Sequence, residues 1–264
     1  MTAEAISIPK LHPTARTVAV TSGKGGAAKS TTAAALAARL VAMGLNVVVA
    51  DLDVPAPNAH LVGEMPEDAK VEINLDTAEM ILPWSPLGYR IATPLLFEKH
   101  ASEQTVISMC GYANEVDVVI FDLPGGWTDA QTQVINNFVD VIFAVSPPTA
   151  TALSDHEAHL AHVVAAVTSA QSAVQNKDRR RKVTFPETKV FSVETLTSYI
   201  GTLADGTVTT VRRLDAVPEA EAAARFAACD APLAVTVPPA VDVKALSETD
   251  EIGTLADLVM KGGE

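Results

Sequence analysis

The stretch from Thr17 to Asp51 limits the fold more than any other part of the chain. Thr17-Val-Ala-Val-Thr21 is a short β-branched run of the kind that forms a buried strand. It leads into the loop Ser22-Gly-Lys-Gly-Gly-Ala-Ala-Lys-Ser30. Thr31 to Met43 is rich in Ala and Leu and is closed by Gly44, a helix with a C-terminal glycine stop. Asn46-Val-Val-Val-Ala-Asp51 is the next apolar strand. Strand, glycine loop, helix, strand is a βαβ unit, and its two strands must be parallel.

Later segments extend the alternation. Strands are predicted at Tyr89–Thr93, Asp117–Asp122, Asp140–Val145 and Pro232–Val237. Helices are predicted at Ser102–Tyr112, Ala150–Ala173 and Thr249–Met260. The fold class is therefore α/β, a doubly wound and mainly parallel sheet flanked by helices. With 264 residues, 48% of them hydrophobic and 19% charged, the chain can bury one large core. The expected division is a tail over 1–16 and one domain over 17–264, with an insertion at about 176–206. That insertion follows from placing the sixth sheet strand at Thr207–Leu214; the other register puts it at Lys189–Val193.

The loop after the first strand carries the chemistry. It nearly fits G-x-x-x-x-G-K-[ST], with Ala28 at the second glycine position. Successive backbone N–H groups in such a loop form a concave anion site, and the following helix adds its positive end. Gly23, Lys24, Gly25, Gly26, Ala27, Ala28, Lys29, Ser30 and Thr31 are thus expected to cradle a nucleotide. Lys29 is expected to reach the β- and γ-phosphates and Ser30 to ligate Mg²⁺. If position 28 needs positive φ, Ala costs about 1 kcal/mol there. A glycine-rich turn without a ligand is the plain alternative.

Two carboxylate motifs come next. Asp51-Leu-Asp53 ends the second strand, and two carboxylates at i and i+2 can face a metal-bound phosphate or its attacking water. Asp122-Leu-Pro-Gly125-Gly126 ends a later apolar strand. A carboxylate there can hold a Mg²⁺-bound water, and the Gly125 N–H can meet a γ-phosphate unobstructed. Polar strand ends leading into ordinary turns are the alternatives in both cases.

Lys24-Gly-Gly-Ala-Ala-Lys29-Ser-Thr31 resembles the deviant Walker A signature of the ParA/MinD/Mrp ATPases. Asp122-Leu-Pro-Gly-Gly-Trp-Thr-Asp129-Ala-Gln131 resembles the D-L-P-P-G-T-G-D-x-Q of the Mrp branch, with departures at Gly125, Trp127 and Thr128. The resemblance implies a P-loop ATPase that binds ATP and Mg²⁺ and forms an ATP-sandwich homodimer. Lys24 would touch the partner's nucleotide, Asp51 would lie near Mg²⁺, and Asp53 would orient the attacking water. Lys24, Lys29 and Asp53 are then the catalytic set; Ser30, Asp51 and Asp122 are the metal set. The family's adenine-contacting Asn has no counterpart: Arg212 or Arg213 stands there in one strand register and Glu194 in the other.

These features point to slow ATP hydrolysis driving a dimerisation switch that positions or partitions a cellular cargo, helped by an activating or cargo protein. Metallocofactor assembly is the alternative. Mrp-type carriers hold an iron–sulfur cluster on C-x-x-C pairs, whereas Cys110 and Cys229 stand alone and are expected to be buried thiols. A third reading is an adaptor in which Ala28 has abolished turnover.

Charge separates the remaining classes. Nineteen Lys and Arg against 32 Asp and Glu leave a net charge of −13, which argues against a protein coating nucleic acid over its whole surface. One basic run, Lys177, Arg179, Arg180, Arg181 and Lys182, is a candidate for non-specific DNA binding; a solvated loop is the plainer reading. No secretory leader or membrane span is legible, and two distant cysteines fit a reducing, cytoplasmic compartment. His156, His159 and His162 recur every third residue, so the face turns by about 240° between the outer two; a shared metal site is not expected.

Overall fold

The computed structural model describes residues 6–7, 14–53, 57–66, 68–74, 79–93, 116–128, 131, 134–135, 139–177, 183–184, 188–196, 198–202, 208–229, 231–240 and 242–261. Strand β1 (Ile6–Ser7) pairs outside the main sheet; β2 (Arg16–Ser22) begins the βαβ unit, followed by α1 (Lys29–Ala42) and β3 (Val47–Asp51). A short helix α2 (Ala59–Val62) and strands β4 (Glu72–Asn74), β5 (Glu79–Ile81) and β6 (Arg90–Ala92) come next. After them stand β7 (Val118–Gly125), β8 (Val141–Ser146), the long helix α3 (Ala150–Lys177), β9 (Val183–Thr184) and β10 (Lys189–Glu194). The chain continues through β11 (Ser198–Thr202), β12 (Val208–Arg212), α4 (Glu219–Ala227), β13 (Leu233–Thr236), α5 (Val243–Ser247) and α6 (Asp250–Lys261).

Seven strands form the main sheet in the order β13-β10-β8-β2-β7-β3-β6, and every pairing in it is parallel. The central strands are apolar on both faces because helices cover both. Side chains alternate between the faces. Val18, Val20, Val118, Ile120, Val47, Val49, Val141 and Phe143 pack with the alanines of α1 and with α5 and α6. Ala19, Val119, Phe121, Val48, Ala50 and Ile142 pack on the other face, with Val134, Ile135 and, from α3, Val163. The same parity sends Asp51 and Asp122 to the α1 face, opposite each other in neighbouring strands.

The structure corrects the preferred strand register. The sixth sheet strand is β10 at 189–194, paired with β8 along its length and with β13, so the segment 176–206 contains a core strand. The piece at 207–214 instead supplies β12, which forms an antiparallel hairpin with β11 outside the sheet. The helix expected at 102–112, Cys110 and the basic residues 178–182 lie outside the described residues.

Candidate nucleotide site

The loop of residues 23–28 joins β2 to α1, and neighbouring backbone fixes its shape. Gly26 has φ +74 and Ala28 φ 63, both left-handed. Position 28 therefore has the conformation that makes glycine the favoured residue, and Ala28 occupies it at a strain cost. The Ala28 carbonyl accepts from the Thr32 N–H at 2.9 Å and the Thr32 hydroxyl at 2.8 Å. The buried Ala27 carbonyl accepts from Thr195 Oγ1 at 2.9 Å, tying the loop to the end of β10. The Ser22 hydroxyl donates to the Lys24 carbonyl at 2.6 Å.

Two glycines let other elements approach. A Cβ on Gly23 would stand 2.5 Å from the Asp155 carbonyl oxygen of α3. One on Gly125 would stand 2.5 Å from the Gly25 nitrogen, so the end of β7 packs directly on the loop backbone. The departure from the Mrp pattern at 125 thus has a steric reason.

Lys29 begins α1 and is buried, while Gly25 and Gly26 are exposed and Lys24, Ala28, Ser30 and Thr31 are half-buried. Lys29 lies within electrostatic reach of Asp122. Asp122 is 1% exposed and neither of its carboxylate oxygens has a hydrogen-bond partner. Burial pushes it up to about 7, and the Asp51 charge adds to that; the Ser30 hydroxyl and Lys29 pull it down. Ser30 is close enough to exert that pull without completing a hydrogen bond. A buried carboxylate is normally paired or holds a cation.

Asp51 is differently engaged. One of its oxygens accepts from the Asp53 N–H at 3.0 Å, the other from the N–H groups of Asn58 and Ala59, both at 2.9 Å. Through Asn58 and Ala59 it anchors the start of α2. Burial raises it to about 6, although those three amides draw it down. Asp53 is half-buried and near enough to act on both other carboxylates.

Sequence reasoning missed Thr195, Thr21, His159 and a role for Gln131. Gln131 is fully buried and donates to the Pro124 carbonyl at 2.7 Å and to Thr21 Oγ1 at 3.0 Å. Thr21 Oγ1 also shares a 2.8 Å hydrogen bond with His159 Nε2. Thr128-x-x-Gln131 is a capping box in which side chain and N–H reciprocate at 3.4 and 3.5 Å, a signal present in the sequence. His156 and His159 are buried and each is lowered to about 4, chiefly by burial. His156 Nε2 bonds Ser192 Oγ at 3.0 Å, and His162 is exposed beside Trp127. Among the described residues no group of three or more His, Cys, Asp or Glu is placed to hold a metal ion. Cys229 is only half-buried, its thiol donating to the Arg225 carbonyl at 3.3 Å. The Glu194 position ends β10, and Arg213 ion-pairs with Asp215. No described helix is long and apolar enough to cross a membrane.

A parallel sheet whose first strand feeds a lysine-bearing glycine loop and a helix defines a P-loop NTPase. The ParA profile, described as NUBPL iron-transfer P-loop NTPase, matches residues 14–192. The chain belongs to the ParA/MinD/Mrp family of P-loop NTPases. It is 28% identical over 157 residues to an iron-sulfur cluster carrier protein of Pyrococcus furiosus, covering 52% of this chain and 53% of that one. The chain spans about half the length of the curated relatives it matches. Among solved structures, cobyrinic acid a,c-diamide synthase from Mycobacterium smegmatis, with bound ATP analogue and magnesium, superposes at TM-score 0.59 and 19% identity, over 94% of this chain and 95% of that one. MinD in the Aquifex aeolicus MinC:MinD complex superposes at TM-score 0.57 and 15% identity, over 94% and 96%. These likenesses show the fold.

Proposed function

We propose that the chain binds Mg·ATP, hydrolyses it slowly, and dimerises around it as a switch. The observation that carries this reading is the buried, unpartnered Asp122 carboxylate facing Ser30 and Lys29 across a left-handed phosphate loop. That donor set fits a hard cation held between a carboxylate, a hydroxyl and phosphate oxygens. The loop amides around Gly25 and Gly26 hold the β-phosphate, and Lys29 bridges the β- and γ-oxygens. Gly23, Ala27, Ala28 and Thr31 complete the cradle. Ser30 and Asp122 hold the cation. Asp51, its oxygens already shared with three amides, acts through its charge. Magnesium held there by Ser30 and Asp122 would supply the positive charge that offsets the charge developing on a transferring phosphoryl group. Asp53 orients the attacking water, the Gly125 N–H contacts the γ-phosphate, and Lys24 reaches the partner's nucleotide. Residues 17–264 act as one domain.

The use we assign to the switch is positioning or partition of a cargo in the cytoplasm, with the basic run 177–182 touching DNA and an activating protein triggering release. Metallocofactor assembly is the second reading, favoured by the iron-transfer description of the family profile and the names of the relatives. An adaptor without turnover is the third.

Thermal shift with Mg·ATP, against Lys29→Ala and Asp122→Ala, tests the core reading. Stabilisation of the parent that both variants lose, with slow phosphate release, supports it; no stabilisation refutes it. Stabilisation without turnover selects the adaptor. A visible absorbance band after anaerobic reconstitution with iron and sulfide selects metallocofactor work.

A further inference from the structure

Strand β7 carries an irregularity where the site is built. Val20 of β2 faces Asp122, but Ser22 faces Gly125, so β7 advances three residues while β2 advances two. The extra residue lies in the Leu123–Pro124 step, opposite Thr21. Proline has no N–H to give a ladder and is accepted inside sheets mainly at bulges. A bulge bends its strand and re-aims the residues beyond it. Those residues are Gly125, the last of β7 and pressed against the Lys24–Gly25 backbone, and Gly126 just after it, whose N–H donates to the Ser22 carbonyl at 3.0 Å.

One side chain plugs this bulge. The Gln131 amide sends one hydrogen to the Pro124 carbonyl at 2.7 Å and the other to Thr21 Oγ1 at 3.0 Å, on the strand opposite. Its oxygen faces the Thr128 N–H. Thr21 shares a hydrogen bond with His159 Nε2, and the Trp127 ring meets His159 edge-on and His162 at a tilt, with centroids 5.9 and 5.6 Å away. The turn after β7 is therefore held at Pro124 from β2 and at Trp127 from α3.

The geometry points to Gln131 as a positioning residue, which through the Pro124 bulge and Thr21 sets where the Gly125–Gly126 amides point and so how well the site tells a triphosphate from a diphosphate. The assignment rests on the nucleotide-site reading. Gln131 touches no phosphate; it fixes the turn. A carboxylate at 131 has the same shape but no hydrogens to give to Pro124 or Thr21.

The experiment uses the full chain in a Trp84→Phe background, leaving Trp127 as the sole tryptophan of the two in the chain. Titration with ADP and with a non-hydrolysable ATP analogue, each with Mg²⁺, gives the triphosphate preference; acrylamide quenching reports how tightly the turn is docked. Gln131→Glu is expected to cut the preference about fivefold, the factor one hydrogen bond commonly carries, and to raise quenching of Trp127. Thr21→Val is expected to behave likewise and Thr21→Ser to restore both readouts. A purely structural role would lower Tm and leave the preference and the quenching where they were. A folded Gln131→Glu chain with the parent's preference and quenching overturns the assignment. If Gln131→Glu does not fold, the Thr21→Val and Thr21→Ser pair decides by the same two readouts. If the parent binds neither nucleotide, the nucleotide-site reading fails; unchanged Trp127 quenching in the variants is what then overturns the positioning role.

Discussion

Replacing Ala28 by Gly isolates the one residue at which the phosphate loop departs from its pattern by cost rather than by shape. Ala28 sits at φ 63, ψ 28 in the position before α1 and gives the helix no side-chain cap. A left-handed L-residue with a Cβ costs roughly 1–2 kcal/mol. Glycine removes that strain but gives the unfolded chain more freedom, which takes back about 0.4–1 kcal/mol. The net is a gain of about 0.5–1 kcal/mol, or roughly 1–4 °C in Tm for a chain of this size. Where the strain is borne decides the effect on nucleotide. The pose of residue 28 is set by protein contacts: Thr32 on its carbonyl, Thr195 on the Ala27 carbonyl, and β7 and α3 against Gly25 and Gly23. The strain is then carried by the fold itself, and nucleotide affinity is expected to change less than about twofold on substitution. Differential scanning calorimetry and a fluorescent-ADP titration measure the two quantities. If Ala28→Gly leaves Tm unchanged and tightens nucleotide about fivefold, the loop is held by the ligand and not by its neighbours, and the reasoning is wrong.

Gly125→Ala places a Cβ 2.5 Å from the Gly25 nitrogen, so the loop must shift; nucleotide affinity is expected to fall about tenfold or more while far-UV dichroism keeps its native form. Thr195→Val removes the donor to the buried Ala27 carbonyl at a cost of about 1 kcal/mol, read by urea denaturation; an unchanged midpoint would show that the tether carries nothing. Asp122→Asn addresses the raised carboxyl. Its folded value near 7 lies above the ordinary 3.8, so this group favours folding most below pH 3.8, and that contribution is lost as pH rises through 7. The stability difference between Asp122→Asn and the parent should therefore grow in favour of Asn across that window, in calorimetry without magnesium. His156 and His159, lowered from 6.5 to about 4, act in the opposite sense in both proteins, removing stability as pH falls from 6.5 to 4, so the comparison cancels them.

The local sequence determined the βαβ unit, the position of the phosphate loop, and the strand parity that puts Asp51 and Asp122 on the α1 face. Each is written within a few residues, because side-chain period and glycine placement act over one turn or one strand. Tertiary structure decided which β-branched segment became the sixth sheet strand. Lys189–Glu194 and Val208–Arg212 both read as strands, and only pairing with β8, far earlier in the chain, separates them. It also decided the occupation of the carboxylates. Asp51 ends β3 and Asp122 closes the apolar run inside β7, yet the amides of Asp53, Asn58 and Ala59 engage the first while the second is left unpartnered. The Thr21–Gln131 and Thr21–His159 bonds join residues 110 and 138 positions apart. Hydrogen bonds of that span have no local period to announce them; they exist because sheet and helix bring their ends together.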